Sequence, residues 1–105
     1  MKRSKPYKEY LNKHLADPEN ALGYLQECLK DPDRRVFLLA LRDVAEAQGG
    51  LTRLARLAKL SREHLYDMLS KNGNPEFSGL EDLLEALGFR LSVEQKNSKR
   101  FKKAA

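Results

Sequence analysis

The fold is decided by residues 51–70, LTRLARLAKLSREHLYDMLS, which contain two short amphipathic patterns on either side of a joint. Apolar residues recur at helical spacing in both patterns: Leu54, Ala55 and Ala58 in the first, Leu65, Met68 and Leu69 in the second. Leu60 is the one apolar residue of the joint, and Ser61 can cap the helix that follows. Together these features predict a helix-turn-helix, whose second helix lies in the major groove of DNA.

Lys59 departs from this motif, because it stands at the turn position where a glycine is usual. Glycine adopts a positive φ at no steric cost, whereas a residue with a Cβ atom rarely does. We therefore expect either a different turn conformation or a lysine in the left-handed region.

The charge of the chain is unevenly distributed around its net value of +5. Residues 51–74 hold five basic and two acidic groups, and both termini are basic, whereas residues 75–94 hold one basic and five acidic groups. A basic two-helix motif favours a polyanionic partner such as DNA, although solvated helix faces would look the same.

Length and composition predict a single domain over residues 1–95 and a basic, mobile tail over residues 96–105. Neither a membrane span nor the apolar core of a signal peptide is present in the sequence, so we expect a cytoplasmic protein. The single Cys28 excludes an intrachain disulfide and predicts a small buried residue. We expect no cofactor and no metal site, since His14 has no second ligand at a suitable spacing.

The remaining apolar pattern predicts an all-α bundle of five or six helices. The first spans residues 7–15, and Asp17-Pro18, Asp31-Pro32 and Ser78 are expected to start three more. The helix before Gly49 is the most apolar and is expected to form the core. Residues 72–75, Asn-Gly-Asn-Pro, should stop the second motif helix.

Residues 89–94, FRLSVE, alternate apolar and polar side chains as a strand does. A lone strand needs a partner for its backbone groups, so we expect two copies to pair across a twofold axis through Phe89, Leu91 and Val93. The alternative is an extended segment lying on the helical core.

Three stretches carry a family resemblance: YKEYLNKHLADPENALGYLQECLKD, FLLALRDVAEAQGG and LARLAKLSREHLYDMLSKNGNPEFSGLEDLLEALGFRLSV. Over nearly its whole length the chain resembles the addiction-module antidote family of lambda-repressor-like (HigA-like, XRE-type) helix-turn-helix proteins. The resemblance implies a homodimeric antitoxin that binds a small RelE/ParE-like toxin and represses its own operon at a palindromic operator. The alternative is a stand-alone phage-type regulator without a toxin.

For DNA, the second motif helix predicts base contacts near its N-terminus and on its outer face. The expected base-reading residues are Ser61, Arg62, Glu63, Tyr66, Asp67 and Ser70, and the expected phosphate contacts are Thr52, Arg53, Lys71 and Asn72. Arg62 can donate two hydrogen bonds to guanine, and Glu63 can accept from cytosine or simply favour the helix dipole.

For the toxin, the expected contacts lie in the N-terminal helices and comprise Tyr7, Tyr10, Leu11 and Tyr24, with core support as the alternative role. Catalysis is not expected. Ser61, His64 and Asp67 are residues of the kinds that act as nucleophile, base and acid in a serine triad. They follow one another on one short helix, however, whereas the partners in such a triad normally come from different elements.

Overall fold

The structure, a computed structural model, describes residues 3–70 and 72–96 of the chain. Over these residues it is all-α, as predicted, and contains no strand. The six helices are α1 (Lys5–Leu15), α2 (Pro18–Leu29), α3 (Arg34–Ala47), α4 (Leu51–Leu57), α5 (Arg62–Met68) and α6 (Phe77–Ala86). None of these helices is long and apolar enough to cross a membrane.

Capping residues set the starts of the first two helices. The Asp17 carboxylate accepts the backbone N–H of Glu19 at 2.9 Å, and Pro18 follows in the first turn of α2, as predicted. α1 begins two residues earlier than expected, because the Ser4 hydroxyl accepts the N–H of Tyr7 at 3.2 Å.

The predicted starts of α3 and α6 were wrong. α3 is capped by Asp33 and not by Asp31, whose carboxylate instead accepts the N–H of Asp33 in the preceding turn. The backbone and side chain of Arg35 both donate to Asp33, which lowers the pKa of that carboxyl to about 2. α6 begins at Phe77 without any side-chain cap, so Ser78 already lies inside the helix.

α3 is the core helix, as the apolar pattern predicts. It packs against α1, α2 and α4, while α4 also packs against α5 and α6. The largest fully buried side chains come from four different helices and are Leu15, Leu41, Val44, Leu65 and Leu83. Each buried leucine contributes about 1.5–3 kcal/mol of transfer free energy, so this shared core holds the motif helices to the N-terminal ones. Cys28 is half-buried at its edge, so the prediction that it is a buried residue was only partly right.

Residues 89–95 follow α6 without regular secondary structure, and residue 96 lies in a bend, so no strand forms in this part of the single chain. Phe89 and Leu91 are half-buried and pack against the core, and the Phe89 N–H donates to the Leu84 carbonyl at 2.7 Å. The packing of Phe89 and Leu91 agrees with the part of the alternative that places this segment on the helical core. Val93 is 98% exposed. Pairing of this segment with a second copy stays a prediction.

Candidate functional site

The joint between α4 and α5 is closed by two backbone hydrogen bonds. The Leu60 N–H donates to the Ala55 carbonyl at 2.9 Å, and the Lys59 N–H donates to the Arg56 carbonyl at 3.2 Å. This is the Schellman pattern of a helix C-terminus, which places the residue after the C-cap in the left-handed region. Lys59 has a φ of 58°, so the second of the two expected outcomes is the one observed. Leu60 then packs against the core and fixes the direction in which the chain continues.

Ser61 caps α5 through its side chain. Its Oγ accepts the backbone N–H of His64 at 3.0 Å, as the sequence predicts for an N-cap serine. The Ser61 hydroxyl is therefore engaged with the backbone of His64 and not with its imidazole.

α5 presents one buried and one exposed face. Leu65 and Met68 are buried, together with Leu69 immediately after the helix. The six side chains expected to read bases all retain access to solvent: Ser61, Arg62, Glu63 and Asp67 are exposed, and Tyr66 and Ser70 are half-buried. The structure thus leaves these six residues accessible along α5 and its flanks, with Ser61 at the N-cap and Ser70 two residues beyond the end of the helix.

Tyr66 is held between two arginines. The Arg42 Cζ atom lies 5.2 Å from the centre of the Tyr66 ring, and the Arg62 Cζ atom lies 5.5 Å from it. Arg62 also donates from Nη2 to the Tyr66 hydroxyl at 3.3 Å. Both distances suit a cation–π contact, so Tyr66 restricts where the Arg62 guanidinium can point. Arg42 also borders an open depression of about 400 Å³ beside the end of α5.

The residues expected to contact phosphates differ in whether their side chains are already hydrogen-bonded within the chain. Thr52 and Asn72 are exposed. Arg53 is exposed as well, but its Nη1 donates to the Gln48 carbonyl at 3.1 Å and so helps to close the end of α3. Lys71 lies outside the described residues, as does the predicted tail from residue 97 onwards.

The residues expected to contact a toxin fall into two groups. Tyr7 and Tyr10 are exposed on α1, where a partner can reach them. Leu11 is buried in the core, so its side chain is not accessible to a partner in this conformation, and its toxin contact stays a prediction. Tyr24 is half-buried, and its hydroxyl donates to Asp43 Oδ2 at 2.7 Å, so its polar group is used within the fold. The burial of Leu11 and the internal hydrogen bond of Tyr24 agree with the alternative role, support of the core.

Asp43 is the residue that sequence reasoning missed. It is only 6% exposed in the middle of α3, and both carboxylate oxygens are used, one by Tyr24 and the other by Arg3 Nη1 at 2.5 Å. Burial and the Asp43 charge raise the pKa of Tyr24, because both disfavour the phenolate. The only sequence signal was an acid within the helix that was expected to form the core, and that signal does not reveal its partners.

The part of the sequence that contains α1 and α5 is similar to known proteins. A sequence model of the family described as "Probable addiction module antidote protein" matches residues 7–95. The chain belongs to this family. It is also 38% identical over 82 residues to an uncharacterized protein of Haemophilus influenzae, a match that covers 78% of this chain and 84% of that relative. No solved structure matches the chain.

The family match includes every helix of the bundle, since it begins within α1 and ends after the extended segment. An addiction-module antidote implies a partner toxin. Both the α1 tyrosines and the outer face of α5 therefore belong to the part of the chain that the family shares.

Proposed function

We propose that this antidote neutralises a small RelE/ParE-like toxin and, as a cytoplasmic homodimer, represses its own operon by binding a palindromic operator. In this proposal α4 and α5 form a helix-turn-helix, and α5 enters the major groove. The observation that carries the DNA part is the outer face of α5, which presents Arg62, Glu63 and Asp67 while Leu65 and Met68 anchor the helix in the core.

Charge supports a DNA role for this part of the chain. Arg53, Arg56 and Lys59 of the α4 segment and Arg62 of α5 are all exposed. Basic residues around a major-groove helix hold phosphates and set the register of the protein on the duplex. Arg62 would then read guanine through O6 and N7, with Tyr66 limiting its rotation.

The homodimer part rests on the C-terminal segment. Phe89 and Leu91 lie on the core, whereas the following Val93 is 98% exposed, so a second copy can reach the backbone of this segment. A twofold dimer would place two copies of α5 one helical turn of DNA apart. Sedimentation of a chain truncated after residue 88 tests this part, since a dimer that survives the truncation excludes pairing through residues 89–94.

The DNA part is tested by fluorescence anisotropy on the promoter upstream of the gene and on single-base variants of it. Arg62→Ala should cost about 1–3 kcal/mol and relax the preference at one base pair. Lys71→Ala should weaken all sequences equally and reduce the salt slope by about one. Lys30→Ala removes the same charge from the end of α2 and serves as the control. Equal weakening of all operator variants by Arg62→Ala would contradict base reading.

The toxin part is tested by co-expression with the neighbouring reading frame. We expect the two proteins to copurify and the antidote to restore growth. If that frame encodes no toxin while the chain still binds its promoter, the chain is instead a stand-alone regulator.

A further inference from the structure

Four side chains form a continuous run along one side of α1. Arg3, Tyr7, Tyr10 and His14 follow one another at spacings of four, three and four residues. The Arg3 Cζ atom lies 5.7 Å from the centre of the Tyr7 ring, and the Tyr7 and Tyr10 ring centres are 6.5 Å apart. The Tyr10 and His14 rings stack at 5.7 Å with an angle of 13° between their planes. We call these four residues the α1 stripe.

The two tyrosines of the α1 stripe are exposed, whereas Arg3 and His14 at its ends are half-buried. Tyr7 and Tyr10 are 44% and 61% exposed, and the adjoining side of the helix is buried through Leu11 and Leu15. Arg3 is fixed at one end by its hydrogen bond to the buried Asp43. Tyrosine side chains lose little conformational entropy when a partner covers them, and tyrosine and arginine are enriched among the residues that dominate binding energy.

The charge of α1 as a whole is positive, and among its lysines Lys13 lies nearest the α1 stripe. Lys5, Lys8 and Lys13 are exposed on the same helix, and Glu9 is its only acidic residue. A second copy of α1 would bring the same positive charge, so self-association through this surface is disfavoured. A partner with an acidic surface would complement the positive charge of α1. Spacings of four, three and four residues are those of side chains that pack against another helix.

We propose that the α1 stripe is the surface on which this antidote binds its toxin, and that the toxin covers it with an acidic helical segment. The inference rests on the proposed toxin-neutralising function. α1 packs against α2 and α3, whereas α5 packs against α4. The toxin and the operator therefore bind to different helices of the bundle, and one chain can hold both.

The test is the affinity of the purified full-length antidote for the toxin encoded by the neighbouring reading frame, measured by isothermal titration. Tyr7→Ala/Tyr10→Ala should raise Kd by at least about 30-fold, the effect of losing one dominant contact. Leu22→Ala/Leu29→Ala is the matched control, since it also removes two exposed apolar side chains, from α2. The control should change Kd by less than about threefold. Circular dichroism melting checks that both variants fold.

A second pair of variants tests the chemistry of the partner. Lys8→Glu/Lys13→Glu should also weaken binding, and the wild-type Kd should rise with salt, because the toxin surface is acidic. Tighter toxin binding by this charge reversal would overturn the acidic partner. Promoter affinity should be unchanged in all these variants, and a loss of promoter affinity with toxin affinity intact would assign the α1 stripe to DNA instead.

The outcomes separate the inference from the proposed function. If the wild-type chain forms no complex with the toxin, both are wrong. If the wild-type chain and the double tyrosine variant bind the toxin equally, only the α1 stripe is excluded. A tyrosine variant that loses self-association in sedimentation would show that the stripe joins two copies of this chain.

Discussion

Asp43→Ala should lower the free energy of unfolding by about 3 kcal/mol. The carboxylate is buried and accepts hydrogen bonds from Arg3 and Tyr24, and a hydrogen bond to a charged group contributes about 1.5–3 kcal/mol. The Arg3 side chain is 24% exposed, so water screens part of its interaction with Asp43. The contribution of this hydrogen bond to the free energy of unfolding therefore lies at the lower end of that range. The substitution also leaves the Tyr24 hydroxyl without its acceptor at a half-buried site, and this loss accounts for the remainder of the expected value of about 3 kcal/mol.

Urea denaturation followed by far-UV circular dichroism measures this value. Tyr24→Phe should cost about 1 kcal/mol, and Asp43→Ala/Tyr24→Phe should cost little more than Asp43→Ala alone, because the two residues share one hydrogen bond. Asp82→Ala removes an exposed acid of α6 and should change stability by less than about 0.5 kcal/mol. A loss below about 1 kcal/mol for Asp43→Ala, or full additivity in the double variant, would refute the assignment of Asp43 as the shared acceptor.

Three further outcomes follow from single residues or pairs. Lys59→Gly should stabilise the chain by about 0.5–1 kcal/mol in urea titrations, because glycine relieves the left-handed lysine at a smaller entropic cost. Ser61→Ala should destabilise it by about 1 kcal/mol through loss of the α5 cap, measured in the same way. The raised pKa of Tyr24 stabilises the fold while the phenol is neutral; melting temperature should therefore fall as pH rises above about 10, and fall less in Tyr24→Phe.

Local chemistry was sufficient to predict most of the helices. The N-caps Asp17 and Ser61 and the apolar spacing of residues 51–69 depend on neighbours within four positions, so the sequence contains the interaction itself. The prediction of the start of α3 was wrong because local sequence offered more than one possible cap. Two aspartates, Asp31 and Asp33, both offered a capping carboxylate, and only the three-dimensional turn decides which of them faces the free N–H groups.

Contacts between distant residues could not be predicted. Asp43 meets Arg3 and Tyr24 across 40 and 19 positions of sequence, and Arg42 reaches Tyr66 from a different helix. No periodic pattern records such pairs, because they depend on how whole helices pack. The alternation at residues 89–94 is a related case, since the apolar side chains of an extended segment can pack on its own core or on a second copy.

Arg42 and Asp43 show how one turn of α3 supports both proposed surfaces. Successive residues of a helix point about 100° apart, so Arg42 faces Tyr66 of α5 while Asp43 faces Arg3 and Tyr24. A shift of α3 would therefore disturb both contacts. Through these two residues α3 connects the α1 stripe with the exposed face of α5 within one chain. If the toxin alters operator affinity, we expect it to act by occupying space beside the DNA or by joining operator-bound copies, because adjacent residues of α3 contact both proposed surfaces.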